Sequence, residues 1–426
     1  MDTIVAQASA RGRAGVAVVR ISGPSAWEVC DRLAGDVPPP RVASLRRLRD
    51  VQGDTLDQAL VIAFDEGQSF TSERVVEFHL HGSIAVIGAV LREVLSVKGV
   101  RAAEAGEFTR RAFEAGRLDL TEVEGLGDLL ESETEAQRRH AQRIMDGTLA
   151  RIVDDWRADL LEALSMSEAA IDFADEDLPP ETWQLVRDPL TRVSEGLGRE
   201  VAGRRAAERI RDGFEVAIIG PVNAGKSTLL NYLAGRDAAI TSEIEGTTRD
   251  VIEVRMEIGG LAVTLIDTAG LRETTDRIEQ LGIERGKKRA VDADLRIYLK
   301  GDPDEVVPAP GADDIVLLGR CDLWSKPGIS GKTGAGVEEL IAEIENRLLE
   351  RDGGFSTFSR ERHFARLRQA LDCLDLARHE AAKADAQLEI VSEELRQALY
   401  YLDELVGRID VEEVLGRIFA SFCIGK

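Results

Sequence analysis

The hydrophobic rhythm of the chain changes three times along its length. Through residue 117, short β-rich runs such as Val16 to Ile21 and Val75 to Leu80 are broken by turn signals at Ser22-Gly23-Pro24 and Pro38-Pro39-Pro40. This pattern predicts a small α+β domain. From Leu118 the apolar positions spread to helical intervals, at Leu120, Val123, Leu126 and Leu130 and then at Ile152, Trp156, Leu160 and Leu164. The period shortens again at Glu215-Val-Ala-Ile-Ile219, a buried strand that runs into a glycine-rich turn and a helix beginning near Ser227. Val263 to Ile266 and Ile315 to Leu318 continue this α/β pattern, each a short apolar run of the kind expected in a parallel sheet. Helical spacing then returns at Phe364, Leu367, Leu371 and Leu374, and at Leu388, Val391, Leu395, Leu399 and Leu402. The expected fold class is multidomain α+β: an N-terminal α+β domain at 1–117, a discontinuous all-α helical domain at 118–212 and 353–426, and an α/β domain at 213–352 inserted between its halves. Two separate helical bundles flanking the α/β domain are the alternative that pattern alone leaves open.

Composition narrows the class. At 426 residues and 44% hydrophobic, the chain is long enough for more than one core. Its net charge of −23 means that a polyanion must be met by a local basic patch or delivered by a partner. Cys30, Cys321, Cys373 and Cys423 show no Cys-x-x-Cys spacing, which argues against a zinc ribbon or a disulfide framework and for a reducing compartment. No stretch of 18 apolar residues and no export signal is visible, so a soluble, cytoplasmic protein with no membrane partner is expected.

The chemistry concentrates between residues 220 and 332. Gly220-Pro-Val-Asn-Ala-Gly225-Lys226-Ser227 fits G-x-x-x-x-G-K-[ST] and sits after a predicted strand and before a predicted helix, where that motif must sit. Its backbone N–H groups converge on a β-phosphate, Lys226 brings a point charge to the β/γ oxygens, and the Ser227 hydroxyl can bind Mg²⁺. Asp267-Thr268-Ala269-Gly270 follows a second apolar strand, so Asp267 can hold a metal-bound water while the Gly270 amide meets a γ-phosphate. Thr247-Thr248-Arg249-Asp250 lies between them as a candidate switch, with a threonine hydroxyl for Mg²⁺. The expected triphosphate contacts are Asn223, Ala224, Gly225, Lys226, Ser227, Thr228, Thr247, Thr248 and 267–270, with Mg²⁺ on Ser227 and Thr248.

Base recognition and water activation are less regular. The Asn-Lys-x-Asp element of guanine readers stands here as Gly319-Arg320-Cys321-Asp322, in which Asp322 alone can still accept from the N1 and N2 donors of guanine. Ser330-Gly331-Lys332 resembles the loop that backs the base in GTPases. GTP over ATP is therefore expected. Leu271 occupies the position of the water-orienting glutamine of Ras-like enzymes, and Glu273, Asp276 and Glu279 are the carboxylates that come after it. Spacing does not choose among the three. Glu77, His79 and His81 alternate on one strand face, formally a metal trio, but no fourth ligand suggests itself.

Taken together, Asp2-Thr-Ile-Val-Ala, Val19-Arg20-Ile-Ser-Gly-Pro24, Gly106-Glu-Phe-Thr-Arg-Arg-Ala-Phe113, Leu118-Asp-Leu120, Gly246-Thr-Thr-Arg-Asp250, Asp267 to Arg272 and Phe422-Cys-Ile-Gly-Lys426 resemble the tRNA-modification GTPase MnmE (TrmE) family. The resemblance runs over essentially the whole chain. It implies an N-terminal domain that makes a homodimer and binds 5-formyl-tetrahydrofolate or a related one-carbon folate, a two-segment helical domain, and a G domain between the segments. It also implies a flavin-dependent MnmG/GidA-type partner, with which an aminomethyl or carboxymethylaminomethyl group is placed on carbon 5 of the wobble uridine of certain tRNAs. Asn223, Ser242, Ile244 and Thr247 would hold K⁺, and Glu279 would orient the attacking water. Arg20, Glu77 and Lys426 would bind the folate, with Arg117 where the family more often has lysine. Cys423 is a possible functional thiol on the same basis. Two rival functions remain to be weighed: a ribosome-assembly or regulatory GTPase, and a non-hydrolysing nucleotide-gated scaffold.

Overall fold

The computed structural model describes residues 2–172, 180–236, 239, 253–267, 289, 291–307, 311, 314–324, 326–350, 356–383, 387–409, 415–416, 418–419, 422 and 425. Two units emerge, one of residues 1–127, 145–153 and 403–426, the other of residues 128–144 and 154–402.

In the first unit, β1 (Thr3–Gln7), β2 (Val16–Ser22), β3 (Ser44–Arg49), β4 (Thr55–Phe64), β5 (Val75–His81) and β6 (Val100–Ala102) form one sheet in the order β3-β4-β5-β2-β1-β6. The pairings are antiparallel except for β1 with β6. Strict alternation assigns the two faces. Val19, Ile21, Phe78 and Leu80 point to a core with Val29, Leu33, Ile87 and Val90 from α1 (Ala26–Ala34) and α2 (Ile84–Leu95). Arg20, Glu77, His79 and His81 take the opposite face. A second small core, Ile4, Ala6, Ala103 and Phe108, ties α3 (Glu107–Glu114) to the sheet.

The end of the sequence returns to this unit. Phe419 and Phe422 pack on Val123 of α4 (Leu120–Glu131). Gly106 is crowded by the Phe419 backbone, and a Cβ on Gly425 would lie 2.2 Å from the Gln7 carbonyl oxygen at the end of β1. Neither position has room for a side chain. α4 departs from the purely apolar stripe read from sequence: Thr121 and Glu124 are buried beside Leu120 and Val123, while Leu130 is 49% exposed. Hydrophobic periodicity finds this helix but does not show which polar residues share its packed face.

In the second unit, α5 (Glu135–Met145), α6 (Thr148–Asp172), α7 (Pro180–Ala202) and α8 (Arg204–Asp212) precede an α/β core, and α12 (Glu361–Ala381) and α13 (Leu388–Val406) come after it. Phe364, Leu367, Ala370, Leu374 and Ala377 form the buried stripe of α12, which packs on α7. Each large apolar side chain buried there contributes roughly 1.5–3 kcal/mol. The Ser167 and Ser392 hydroxyls meet at 2.8 Å, Arg187 donates to the Ala381 carbonyl at 3.0 Å, and Trp156 stacks on Phe358. Helices from both sides of the α/β segment thus share one core, which makes the all-α part discontinuous.

The α/β core has the strand order β11-β10-β7-β9-β8, built from β7 (Phe214–Ile219), β8 (Glu253–Ile258), β9 (Leu261–Asp267), β10 (Leu295–Lys300) and β11 (Ile315–Leu318). All pairings are parallel except that of β8 with β9. Val216 and Ile218 on β7, Val263 and Leu265 on β9, and Ile297 and Leu299 on β10 pack with α9 (Lys226–Ala234) and α11 (Val337–Glu350). Between β11 and α11 lies α10, a single turn at Cys321–Trp324.

His140 on α5 is buried, and its Nε2 has no hydrogen-bond partner among the described residues. Burial, reinforced by the charges of Arg143 and Arg211, pushes its pKa down to about 4. The folded chain therefore keeps this imidazole neutral at pH values where the unfolded chain protonates it. Stability should be complete above the ordinary histidine pKa, fall as pH drops through the window from about 6.5 to about 4, and gain no further slope from this group below it. Urea denaturation at pH 7 and pH 5 should show a smaller loss in His140→Gln than in the parent chain, and equal losses would refute the assignment.

Candidate functional site

The central strand β7 delivers the chain into the glycine-rich loop. Gly220 passes so close to β10 that a Cβ there would lie 2.2 Å from the Leu299 carbonyl oxygen. Asn223 has φ +64 and Gly225 φ +98, a left-handed stretch that turns successive N–H groups inward before α9 begins. Glycine meets this demand at 225, whereas Asn223 is one of the few residue types that tolerates it.

Lys226 is 4% exposed, and its ammonium donates to the carbonyl oxygens of Gly220 (2.7 Å) and Pro221 (2.8 Å). Burial lowers its pKa, opposed by the charges of Asp267 and Glu305. The Ser227 hydroxyl donates to Asp267 Oδ2 at 2.7 Å. Asp267 ends β9 directly across from Ile218, so the sheet register itself brings the carboxylate to the loop. A buried carboxylate beside a hydroxyl, with a lysine charge close by, is a hard-oxygen donor set that suits Mg²⁺.

Beyond the loop, a cleft of about 200 Å³ is bounded by Ala224, Gly225 and Thr228 on one side and by Asp322, Ser330 and Lys332 on the other. Asp322 is exposed on α10. Ser330 is buried, and its hydroxyl accepts from the N–H groups of Lys332 (3.3 Å) and Thr333 (3.4 Å). Gly331 allows the loop to press on α9, since a Cβ there would lie 2.5 Å from the Leu229 nitrogen. The structure therefore brings Asn223 to Thr228, Asp267, Asp322 and Ser330 to Lys332 into one neighbourhood. Ser242, Ile244, Thr247, Thr248, Thr268, Ala269, Gly270 and Glu279 lie outside the described residues, as do Cys423 and Lys426.

In the other unit, Arg20 Nε donates to Glu77 Oε1 at 2.8 Å across the β2–β5 pairing, and the guanidinium lies over the rings of Phe70 and Phe108. His79 Nε2 is 3.4 Å from Glu77 Oε2, but His81 turns to Asp57, with Nδ1 2.7 Å from Oδ1. The alternating trio shares a face without converging. Among the described residues no set of three His, Cys, Asp or Glu side chains is arranged to hold a metal ion. Arg117 is exposed in the turn after α3, its N–H donating to the Ala112 carbonyl.

Comparison with known proteins matches residues 3–117 to the N-terminus of the GTP-binding protein TrmE and residues 120–423 to the MnmE helical domain. The tRNA modification GTPase MnmE of Cereibacter sphaeroides is 55% identical, and that of Roseobacter denitrificans 53% identical, each aligned over 100% of both chains. The chain belongs to the MnmE family of tRNA modification GTPases. Among solved structures, Aquifex aeolicus Era bound to GDP·AlF4⁻ matches 38% of this chain and 67% of its own at 23% identity, with a TM-score of 0.25.

One residue of this MnmE-family chain was not legible from the motifs. Arg320, in the segment where only Asp322 was read as surviving, donates from its guanidinium to the Asn223 carbonyl at 2.8 Å. A signal was present in the sequence, since arginine retains the positive charge of the lysine expected there. Among the described residues no helix is long and apolar enough to cross a membrane.

Proposed function

We propose that this chain hydrolyses GTP and uses the cycle in modifying the wobble uridine of tRNA. The observation that carries the reading is the joint between Lys226, Ser227 and Asp267 at the glycine-rich loop, whose Ala224 and Gly225 line a cleft with Asp322, within a chain of the MnmE family. Mg²⁺, if bound, would supply positive charge to offset the negative charge that develops on the phosphates. Ser227 and Asp267 would hold it, with Thr248 as the switch ligand. Lys226 holds positive charge at the β/γ oxygens, the N–H groups before α9 cradle the β-phosphate, and Asp322 accepts from the guanine edge. Asn223, with Ser242, Ile244 and Thr247, is proposed to take K⁺, and Glu279 to orient the water.

The domain boundaries proposed are 1–117, 118–212, 213–352 and 353–426. The first would form a homodimer and bind the one-carbon folate through Arg20, Glu77, Arg117 and Lys426. Gly425 packs against Gln7 at the end of β1, beside the strand that carries Arg20, which supports the C-terminal segment as part of that site. With an MnmG/GidA-type flavoprotein, the product would be a 5-aminomethyl or 5-carboxymethylaminomethyl uridine, made in the cytoplasm.

Deletion of the gene followed by mass spectrometry of tRNA nucleosides tests the modification role: loss of the modified wobble uridines is expected, and unchanged nucleosides in a strain without a second pathway would sink it. GTP turnover measured in K⁺ and in Na⁺ separates this enzyme from a nucleotide-gated scaffold, which would show no cleavage in either.

A further inference from the structure

The strand that ends in Asp267 begins at a tight turn. Gly259 (φ +58) and Gly260 (φ +82) join β8 to β9 with Ile258 paired to Leu261, a two-residue hairpin that needs positive φ at both central positions. β9 has seven residues, so the turn and Asp267 stand about 20 Å apart on one strand. Ladders to β7 and β8 hold that strand on both sides, and a shift at one end is felt at the other.

α5 is built to meet this turn. Its start is a capping box: Thr134 Oγ1 accepts from the Gln137 N–H at 3.4 Å, and Gln137 Oε1 accepts from the Thr134 N–H at 3.2 Å. Gln137 Nε2 donates onward to the Arg211 carbonyl, at the end of α8, at 2.9 Å. The Ala136 N–H, one of those that a helix start leaves without a partner of its own, donates to the Gly260 carbonyl at 3.2 Å. The Ala136 side chain packs on the α/β core, and Glu133 pairs with Arg255 of β8 at 2.9 Å.

Past this first turn the packing loosens. A polar cavity of about 140 Å³ lies beside α5, with Ser132, Gln137, His140, Arg211 and Arg360 in its lining. The buried His140 Nε2 has no hydrogen-bond partner among the described residues. α5 is thus gripped at its start and has room along its length, unlike a helix in a close-packed core. It ends at Met145, where the chain passes from the second unit into the first.

At the far end of β9, Ser227 donates to Asp267 Oδ2 at 2.7 Å, and a cation taken on these two oxygens replaces that hydrogen bond. Resting on the reading of Asp267 as part of a nucleotide site, we infer that the junction of α5 with the β8–β9 turn carries the state of that site to α5. Occupancy at Asp267 shifts β9, the turn draws on Ala136 and Glu133, and α5 tilts into the cavity. Helix displacements of roughly 1–2 Å are enough for such a switch. The junction reports on the site and does not serve the chemistry.

The test follows hydrogen exchange at the amides of 138–145 in the full chain, with Mg²⁺ and either GDP or the non-hydrolysable analogue GMPPNP. In the parent chain the two rates should differ by about fivefold or more, the lower range of coupling between linked sites. Arg255→Glu sets two carboxylates against each other, and Ala136→Glu places a charge against the Gly260 carbonyl. Each should shrink the difference to below about twofold while GTP turnover stays at the parent rate. Exchanging the pair, Glu133→Arg with Arg255→Glu, should restore the difference. The inference is overturned if a parent chain that binds both nucleotides shows no difference, or if the difference survives in either variant. It is equally overturned if the exchanged pair does not restore the difference, or if turnover falls with it. A parent chain that binds neither nucleotide would instead overturn the nucleotide-site reading itself.

Discussion

Replacing Lys226 by alanine should lower kcat/KM for GTP by about 10³-fold while leaving the thermal midpoint nearly unchanged. The magnitude is that of removing a preorganised positive group from the place where transition-state charge collects. The near-neutral stability comes from the local balance. Lys226 is a desolvated charge whose pKa burial has already lowered, so its removal relieves a cost as it strips two loop carbonyls of their donor. Steady-state hydrolysis with saturating Mg²⁺ reads the first effect and differential scanning fluorimetry the second. Activity within tenfold of the parent would show that the lysine does not serve the phosphates.

Gly220→Val should do the reverse, removing nucleotide binding through the fold. The substituted carbon would sit 2.2 Å from the Leu299 carbonyl oxygen, which is backbone of β10, the strand paired with β7, whose end leads directly into Gly220. Neither can yield without moving β7 against β10. Overpacking at such a site destabilises by about 3 kcal/mol or more. A urea midpoint equal to that of the parent, with GDP binding retained, would mean that the loop has freedom the geometry denies.

Legibility in the sequence tracks the range of the interactions involved. The phosphate loop was legible because it is local: eight consecutive residues between a buried strand and a helix define it. Asp267 was legible because a parallel strand ending in a carboxylate has one usual place, and register sets it opposite Ile218. The discontinuous helical part was visible as two stretches of one period, although only packing such as Ser167 on Ser392 joined them. Arg320 escaped because its role depends on a backbone conformation and a partner nearly a hundred residues away. Likewise Asp57, twenty-four residues from His81, takes that imidazole away from Glu77 and His79. On α4, the buried Thr121 and Glu124 could not be told from solvent-facing residues by hydrophobicity.

The contact of Gly425 with Gln7 bears on how the chain is made. A first domain that closes within its own hundred residues can finish folding while the ribosome is still translating later segments. Here the sheet of 3–102 must wait, with the end of β1 and the Gly106 notch uncovered, until more than three hundred further residues have been synthesised and Phe419, Phe422 and Gly425 arrive. During that interval the helices and the α/β core can assemble before Phe419, Phe422 and Gly425 reach the notch and the end of β1.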